Sequence, residues 1–156
     1  MTTHSVRLFA DYHHFYVWDA GTDPCAPEDY SDEAERRRVT ATTHVLVVHP
    51  IRNTAVPVDV ELCESEPPFE QARWDHAVDC SLHLPRGSLQ VHECTGGPVL
   101  DLVVEPGSYR ARVLFGGLNT VSEDGLQGDD SYRVVLWPGP PGPLLVLKEW
   151  KAGGRA

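Results

Sequence analysis

The sequence predicts an all-β protein, a two-layer antiparallel β-sandwich of about nine strands with one short helix. Apolar and polar residues alternate with a period of two in segment after segment of the 156-residue chain. The 13 Pro and 13 Gly are spread along the chain. They separate the segments at spacings of about ten residues, which is typical of sandwiches and barrels. No strand–helix–strand alternation indicates a parallel, doubly wound sheet.

The first predicted strand covers residues 13–19, where aromatic and β-branched side chains are dense. Asp-Pro and Ala-Pro pairs after it predict a loop. The one helix candidate is 31–38, between the first and second predicted strands. Ser31 or Asp32 can cap its N-terminus, and three arginines suit the dipole of its last turn. It spans only about two turns, so it must pack against the sheet to persist.

The remaining strands follow from the same alternation, interrupted by turn residues. They are predicted at 43–49, 56–62, 78–84, 89–93, 100–104, 109–115, 132–137 and 144–148. In 56–62 aliphatic side chains face one side, and Pro57, which lacks an N–H, predicts an edge strand or the start of a strand. Cys80 is predicted to be a small buried thiol, whereas Arg110 and Arg112 are predicted to point outward.

Chain length predicts a single domain over residues 1–150, followed by a flexible tail at 151–156. The first ten residues lack a basic stretch followed by an apolar run, so we expect no signal peptide and a cytoplasmic protein. No segment approaches the roughly 20 apolar residues that a membrane helix needs. The four cysteines form no C-x-x-C motif and are expected to be reduced.

The formal net charge of −10 bears on the choice of partner. Phosphate binding needs a basic surface, so we expect no direct contact with nucleic acid. An acidic surface favours solubility, or steering toward a basic protein partner. Apolar side chains on edge strands would permit a homo-oligomer, but nothing in the sequence requires one. The acids that could form such a surface are Glu28, Asp29, Asp32, Glu33, Glu35, Asp124, Asp129 and Asp130.

No catalytic constellation is evident in the sequence. Ser and Cys occur in no G-x-S-x-G turn, and no glycine-rich loop precedes a helix. His13 and His14 are adjacent, so in a strand they would point to opposite faces, and no zinc-ligand spacing occurs among the eight histidines. We therefore predict no enzyme, no cofactor and no metal site. A small-ligand or metal-binding sandwich, with a cleft lined by His13, His44 or His49 and carboxylates, is the alternative.

The first strand offers the clearest binding surface. Tyr12, His14, Tyr16 and Trp18 would share one face by the period of two, while the other face packs on the core. Exposed Tyr, Trp and His are frequent in binding hot spots. In the alternative interpretation both faces are covered and these aromatic side chains belong to the core.

Four short segments resemble the competence protein J family. They are Tyr12-His13-His14-Phe15, Ser31-Asp32-Glu33-Ala34 after an aromatic residue, Arg52-Asn53-Thr54, and a late Leu-x-Val…Pro-Gly-x-Tyr run. The order of the segments is kept from about Tyr12 to Trp137. That family includes the nuclease inhibitor of naturally transformable bacilli. The resemblance implies a small, non-enzymatic β protein that binds a nuclease and restrains it.

Surface residues and resemblance together give a set of predicted binding residues. The set is Tyr12, His13, His14, Tyr16, Trp18, Arg52, Asn53, Asp129 and Asp130. The partner expected for them is a protein, for example a basic nuclease.

Overall fold

The computed structural model describes residues 1–151, which form two β-sheets, one α-helix and four short 3-10 turns. The predicted tail at 151–156 falls, except for Lys151, outside the described residues. The elements are β1 (Thr2–Phe9), β2 (Phe15–Asp19), α1 (Asp32–Arg37), β3 (Val39–Ala41), β4 (Val45–Val48), β5 (Ala55–Leu62), β6 (His76–Leu84), β7 (Ser88–Glu93), β8 (Pro98–Val103), β9 (Gly107–Gly116), β10 (Ser131–Pro138) and β11 (Leu145–Lys148).

The two sheets form a sandwich, which confirms the predicted all-β class. One sheet has six strands in the order β1-β5-β10-β9-β6-β11, and the other has five in the order β3-β4-β2-β7-β8. Neighbouring strands are antiparallel except for β5 and β10, which run parallel from Val58 opposite Tyr132. The six-stranded sheet is therefore mixed, whereas an antiparallel sandwich was predicted. The alternation of apolar and polar residues does not show in which direction neighbouring strands run.

The core lies between the sheets and comes from the apolar faces that the alternation predicted. Phe15 and Val17 of β2 pack there with alternate residues of β5, β6, β7, β9 and β10. Cys80 is buried in this core, as predicted. Arg112 points away from the core, but it is only 3% exposed. Its Nε donates to Asp79 at 2.8 Å, and its guanidinium lies over the Trp137 ring.

Two strands were not predicted, so the chain has eleven strands within residues 1–151 instead of nine. β1 is weakly patterned, since only its second half alternates, and β3 has three residues. The helix is confirmed at Asp32–Arg37, where the Ser31 hydroxyl accepts the N–H of Ala34. Because β1 precedes β2, this helix follows the second strand and not the first.

The prediction that Pro57 marks an edge strand is wrong. β5 lies between β1 and β10 in the sheet. Pro57 nevertheless fits the other prediction, the start of a strand, because it precedes the part of β5 that pairs with β10. The pairing with β10 begins only at Val58, so the missing N–H of Pro57 precedes that ladder.

No helix within residues 1–151 is long and apolar enough to cross a membrane. All four cysteines lie in this part of the chain and are unpaired.

Candidate functional site

A cleft of about 960 Å³ opens where β2 begins, beside α1 and the connection between β4 and β5. Five of the nine predicted binding residues line it, namely Tyr12, His13, His14, Tyr16 and Asn53. Thirteen other residues complete the lining: Ala26, Pro27, Glu28, Asp29, Tyr30, Ala34, Glu35, Arg38, His49, Pro50, Ile51, Cys94 and Trp150.

The turn before β2 forms one wall. Tyr12 and His13 both have left-handed backbones, with φ of 57° and 58°. Such a conformation costs a non-glycine residue on the order of 1 kcal/mol or more, so the surrounding contacts must hold the turn. The Tyr12 N–H donates to Asn53 Oδ1 at 3.0 Å, and His13 Nδ1 donates to the Pro50 carbonyl at 3.1 Å. The turn leaves the Tyr12 side chain 67% exposed at the cleft.

Two histidines pack edge to face in the cleft. The ring centroids of His14 and His49 are 4.6 Å apart. Burial lowers the pKa of His49 from 6.5 to about 4, and His14 and Arg38 contribute to the same direction. Burial and the neighbouring His13 also lower the pKa of His14. Both imidazoles are therefore neutral at pH 7, able to donate or accept one hydrogen bond at each nitrogen.

Arg38 supplies the positive charge of the cleft. It ends α1 with a left-handed backbone, φ of 60°, and its N–H donates to the Ala34 carbonyl. Its guanidinium carbon lies 5.0 Å from the centre of the Trp150 ring. Burial lowers the pKa of Arg38, which nonetheless remains a cation at neutral pH. Within residues 1–151 its guanidinium makes no ion pair or hydrogen bond, and its Nε is buried.

Trp150 closes the cleft from the C-terminal side. Its N–H donates to His76 Nδ1 at 3.0 Å, and its indole N–H donates to Asn119 Oδ1 at 2.9 Å. Since Nδ1 of His76 accepts, the proton is on Nε2, which donates to the Arg37 carbonyl at 2.7 Å. The fully buried His76 therefore fastens the C-terminal segment to the end of α1.

Carboxylates and a tyrosine form the rim. Glu28 and Glu35 are exposed, and Asp29 lies between them along the edge of the cleft. Hydrogen bonds from Ser31 lower the pKa of Asp29, which keeps it ionised. Tyr30 extends into solvent with 74% of its surface exposed.

The other four predicted residues lie outside the cleft. Trp18 is buried and donates to Gln90, so the aromatic face predicted for the first strand ends at Tyr16. The left-handed turn at Tyr12 breaks the period of two on which that face depended. Asp129 is exposed but does not line the cleft.

Arg52 and Asp130, which were predicted on a binding surface, are buried as an ion pair outside the cleft. Arg52 Nε donates to Asp130 Oδ1 at 2.5 Å, and the two residues are 6% and 1% exposed. The Tyr132 hydroxyl donates to the other carboxylate oxygen and accepts the N–H of Ile51 at 2.9 Å. This buried network positions the segment that carries Ile51 and Asn53 into the cleft.

No pattern in the sequence assigns Arg38 or Trp150 to a site. Arg38 follows two other arginines and was explained by the helix dipole, and no local pattern brings residue 150 to residue 38. Within residues 1–151 no group of three or more His, Cys, Asp or Glu side chains is arranged to hold a metal ion.

Two packed sheets, with a cleft beside α1 at the start of β2, define an all-β sandwich protein. Comparison with solved structures is more specific. The chain is similar to ComJ from Bacillus subtilis, an inhibitor of the DNA-degrading activity of NucA, with a TM-score of 0.68 over 87% of this chain and 96% of ComJ. The two sequences are 19% identical, so the similarity shows a shared fold. The resemblance to competence protein J is thereby confirmed at the level of structure.

A second similar structure is described as crocagin biosynthetic gene J. It has a TM-score of 0.54 and 20% identity, and the match covers 90% of this chain and 100% of that one. No protein-family model matches the sequence, and no curated protein is significantly similar to it.

Three of the four segments that carry the resemblance meet at the cleft. Tyr12 to His14 form its wall, Ala34 of the second segment lies at its edge, and Asn53 of the third holds the turn. The fourth segment, around Tyr109, lies elsewhere.

Proposed function

We propose that this protein binds a partner nuclease and restrains it, as an inhibitor or an immunity-like protein, without catalysing a reaction itself. The observation that carries the proposal is the fold shared with ComJ over 87% of the chain. The cleft supports it, because it is the place where three of the resembling segments come together.

Charge suggests how the partner is reached. Nucleases that bind DNA present basic surfaces to phosphates, and a chain of net charge −10 attracts such a surface over a distance. The carboxylates of Glu28, Asp29 and Glu35 crowd one rim of the cleft. We propose that this rim takes the place of DNA phosphates on the nuclease, and that the exposed Tyr12 and Tyr30 anchor the contact.

A charge-reversal experiment tests this proposal. The purified protein is immobilised and exposed to a lysate of its source at low and at high salt, and the eluate is assayed for DNA cleavage. We expect a nuclease that is retained at low salt, released at high salt and inhibited when the protein is added back. The double variant Glu28→Lys, Glu35→Lys should lose at least tenfold in inhibition.

The matched control is Glu64→Lys, Glu123→Lys, which changes the net charge equally at exposed acids outside the cleft. It should inhibit nearly as well as the unaltered protein. Equal loss in both variants would leave only net charge and refute a specific role of the rim. The cytoplasmic location predicted from the sequence belongs to the same proposal, and cell fractionation tests it.

The cleft itself favours a second candidate, a small-ligand binding protein. A volume of about 960 Å³ falls within the range of roughly 300–1,000 Å³ that ligand sites occupy. His13 and His49 line it together with carboxylates, as the alternative interpretation of the sequence required. A thermal-shift screen with metals and metabolites tests this candidate, and zinc retained through dialysis would contradict the expectation of no metal.

A further inference from the structure

We propose that the cleft binds a carboxylate group at Arg38, carried by a ligand with an apolar or aromatic body. This inference does not depend on the identity of the partner nuclease or on nuclease binding.

Arg38 differs from every other shielded arginine in residues 1–151. Arg52 pairs with Asp130, Arg112 with Asp79 and Glu66, Arg133 with Asp59 and Glu61, and Arg37 with Glu33 and Asp29, while Arg110 donates to Ser81 and the Pro143 carbonyl. Arg37 and Arg133 also have a buried Nε without a partner, but their terminal nitrogens are paired. Only for Arg38 do the two terminal nitrogens also lack an acceptor within residues 1–151, and these nitrogens are accessible rather than buried.

The Nε–H of Arg38 is buried without an acceptor, which costs free energy, whereas its terminal nitrogens are open to an anion. Glu35 and Glu149 are near enough to influence Arg38, yet neither forms an ion pair with it. The left-handed end of α1 and the stacking on Trp150 instead direct the guanidinium along the wall of the cleft. Trp150 is itself held by two hydrogen bonds, so the platform under the guanidinium is fixed.

The surroundings select the kind of anion. Among residues 1–151, Arg38 is the one arginine or lysine that lines the cleft, and His14 and His49 are neutral at pH 7. Three carboxylates stand on the rim. Arg38 can pair with one negative charge, while the rim carboxylates would repel a phosphate dianion more strongly than a monoanion. The planar guanidinium also matches a carboxylate with two parallel hydrogen bonds.

The remaining lining describes the rest of the ligand. Tyr12, Tyr30 and Trp150 offer aromatic faces, and Ile51 adds apolar surface. Neutral His14 can give a further hydrogen bond to a polar atom of the ligand, whereas Nε2 of His49 already contacts the Thr40 hydroxyl at 3.4 Å. The chemical class is therefore a monocarboxylate with an apolar body, either a free acid or the carboxylate of a peptide chain.

Calorimetric titration of the full chain tests the inference, with phenylacetate as the probe. Phenylacetamide, the uncharged analogue, and phenyl phosphate, the dianion, should each bind at least tenfold more weakly. Arg38→Gln should weaken phenylacetate binding at least tenfold, and Arg38→Lys, which keeps the charge without the fork, should fall between. The control Arg36→Gln removes the same charge from an exposed position two residues away and should change nothing.

N-acetylphenylalanine distinguishes the two sources of the carboxylate. Tighter binding of this probe than of phenylacetate assigns a peptide carboxylate, and the reverse assigns a free acid. Phenylacetamide binding as tightly as phenylacetate overturns the inference without any variant, as does the absence of binding by both acids. Equal affinity of folded Arg38→Gln and the unaltered protein overturns it as well, and circular dichroism verifies that the variant is folded.

Discussion

Asp129 and Asp130 are neighbours in the chain with opposite environments. Asp129 is exposed, and its backbone N–H donates to the Thr120 hydroxyl. Asp130 is 1% exposed and receives hydrogen bonds from Arg52 and Tyr132. Burial and the adjacent Asp130 raise the pKa of Tyr132, so its hydroxyl keeps the proton that it donates. Two consecutive residues thus place one carboxylate at the surface and the other in the interior.

Neutralising these two acids should have unequal effects on stability. Asp130→Asn leaves the buried Arg52 without its counter-charge, and we expect a loss of about 3–5 kcal/mol in the free energy of unfolding. Asp129→Asn, the matched control, should change it by less than about 0.5 kcal/mol. Chemical denaturation measures both values. A loss below about 1 kcal/mol for Asp130→Asn would show that water reaches the ion pair.

Among the elements, the first strand is the one whose removal has the clearest consequence. β1 pairs with β5 along its whole length, from Thr2 opposite Leu62 to Phe9 opposite Ala55, and it forms an edge of the six-stranded sheet. It also buries Leu8, which is 1% exposed, in the core. Covering a central strand and filling the core are separable contributions.

Deleting residues 1–9 should destabilise the protein and cause self-association, because the edge of β5 becomes open to pairing with another chain. Leu8→Ala keeps the edge covered and should cost about 2–5 kcal/mol while leaving the association state unchanged. Denaturation and light scattering on a sizing column separate the two effects. A deletion variant that associates no more than Leu8→Ala would refute the protective role of β1.

The alternation of apolar and polar residues predicts some strands of this fold and misses others. Alternation predicts β5, β6 and β9 well, because each buries one face continuously. It misses β3, which is too short for a period to register, and it extends the first strand through Tyr12 and His13, whose turn depends on contacts with Asn53 and Pro50. Five of the nine predicted site residues line the cleft. Arg38 and Trp150 are brought together only by the tertiary fold, which the alternation in the sequence does not show.

At the scale of the whole molecule, three histidines make stability depend on pH. Burial is the largest cause of the lowered pKa of His14, His49 and His76. Between the pKa of the unfolded chain, about 6.5, and the lower values of the folded one, the unfolded state binds more protons. Above about pH 6.5 these histidines therefore cause no loss of stability. The free energy of unfolding decreases as the pH falls from there toward 4.

We expect His49 alone to account for a loss on the order of 2 kcal/mol between pH 7 and about pH 5. Urea denaturation at several pH values measures it. His49→Gln cannot take up this proton, so its curve should be flatter over the same interval. Parallel curves for the variant and the unaltered protein would show that His49 has an ordinary pKa.

The parallel pairing of β5 with β10 has a consequence for synthesis on the ribosome. β1 can pair with β5 as soon as β5 has been synthesised, but the other side of β5 waits for β10, roughly 70 residues later, or about 3 to 14 s at about 5–20 residues per second. During that interval we expect Asp59 and Glu61 to act as gatekeepers, since charges on an open strand discourage pairing with other nascent chains. Once β10 has paired with β5, Arg133 forms ion pairs with both Asp59 and Glu61, so the same two charges stabilise the folded sheet.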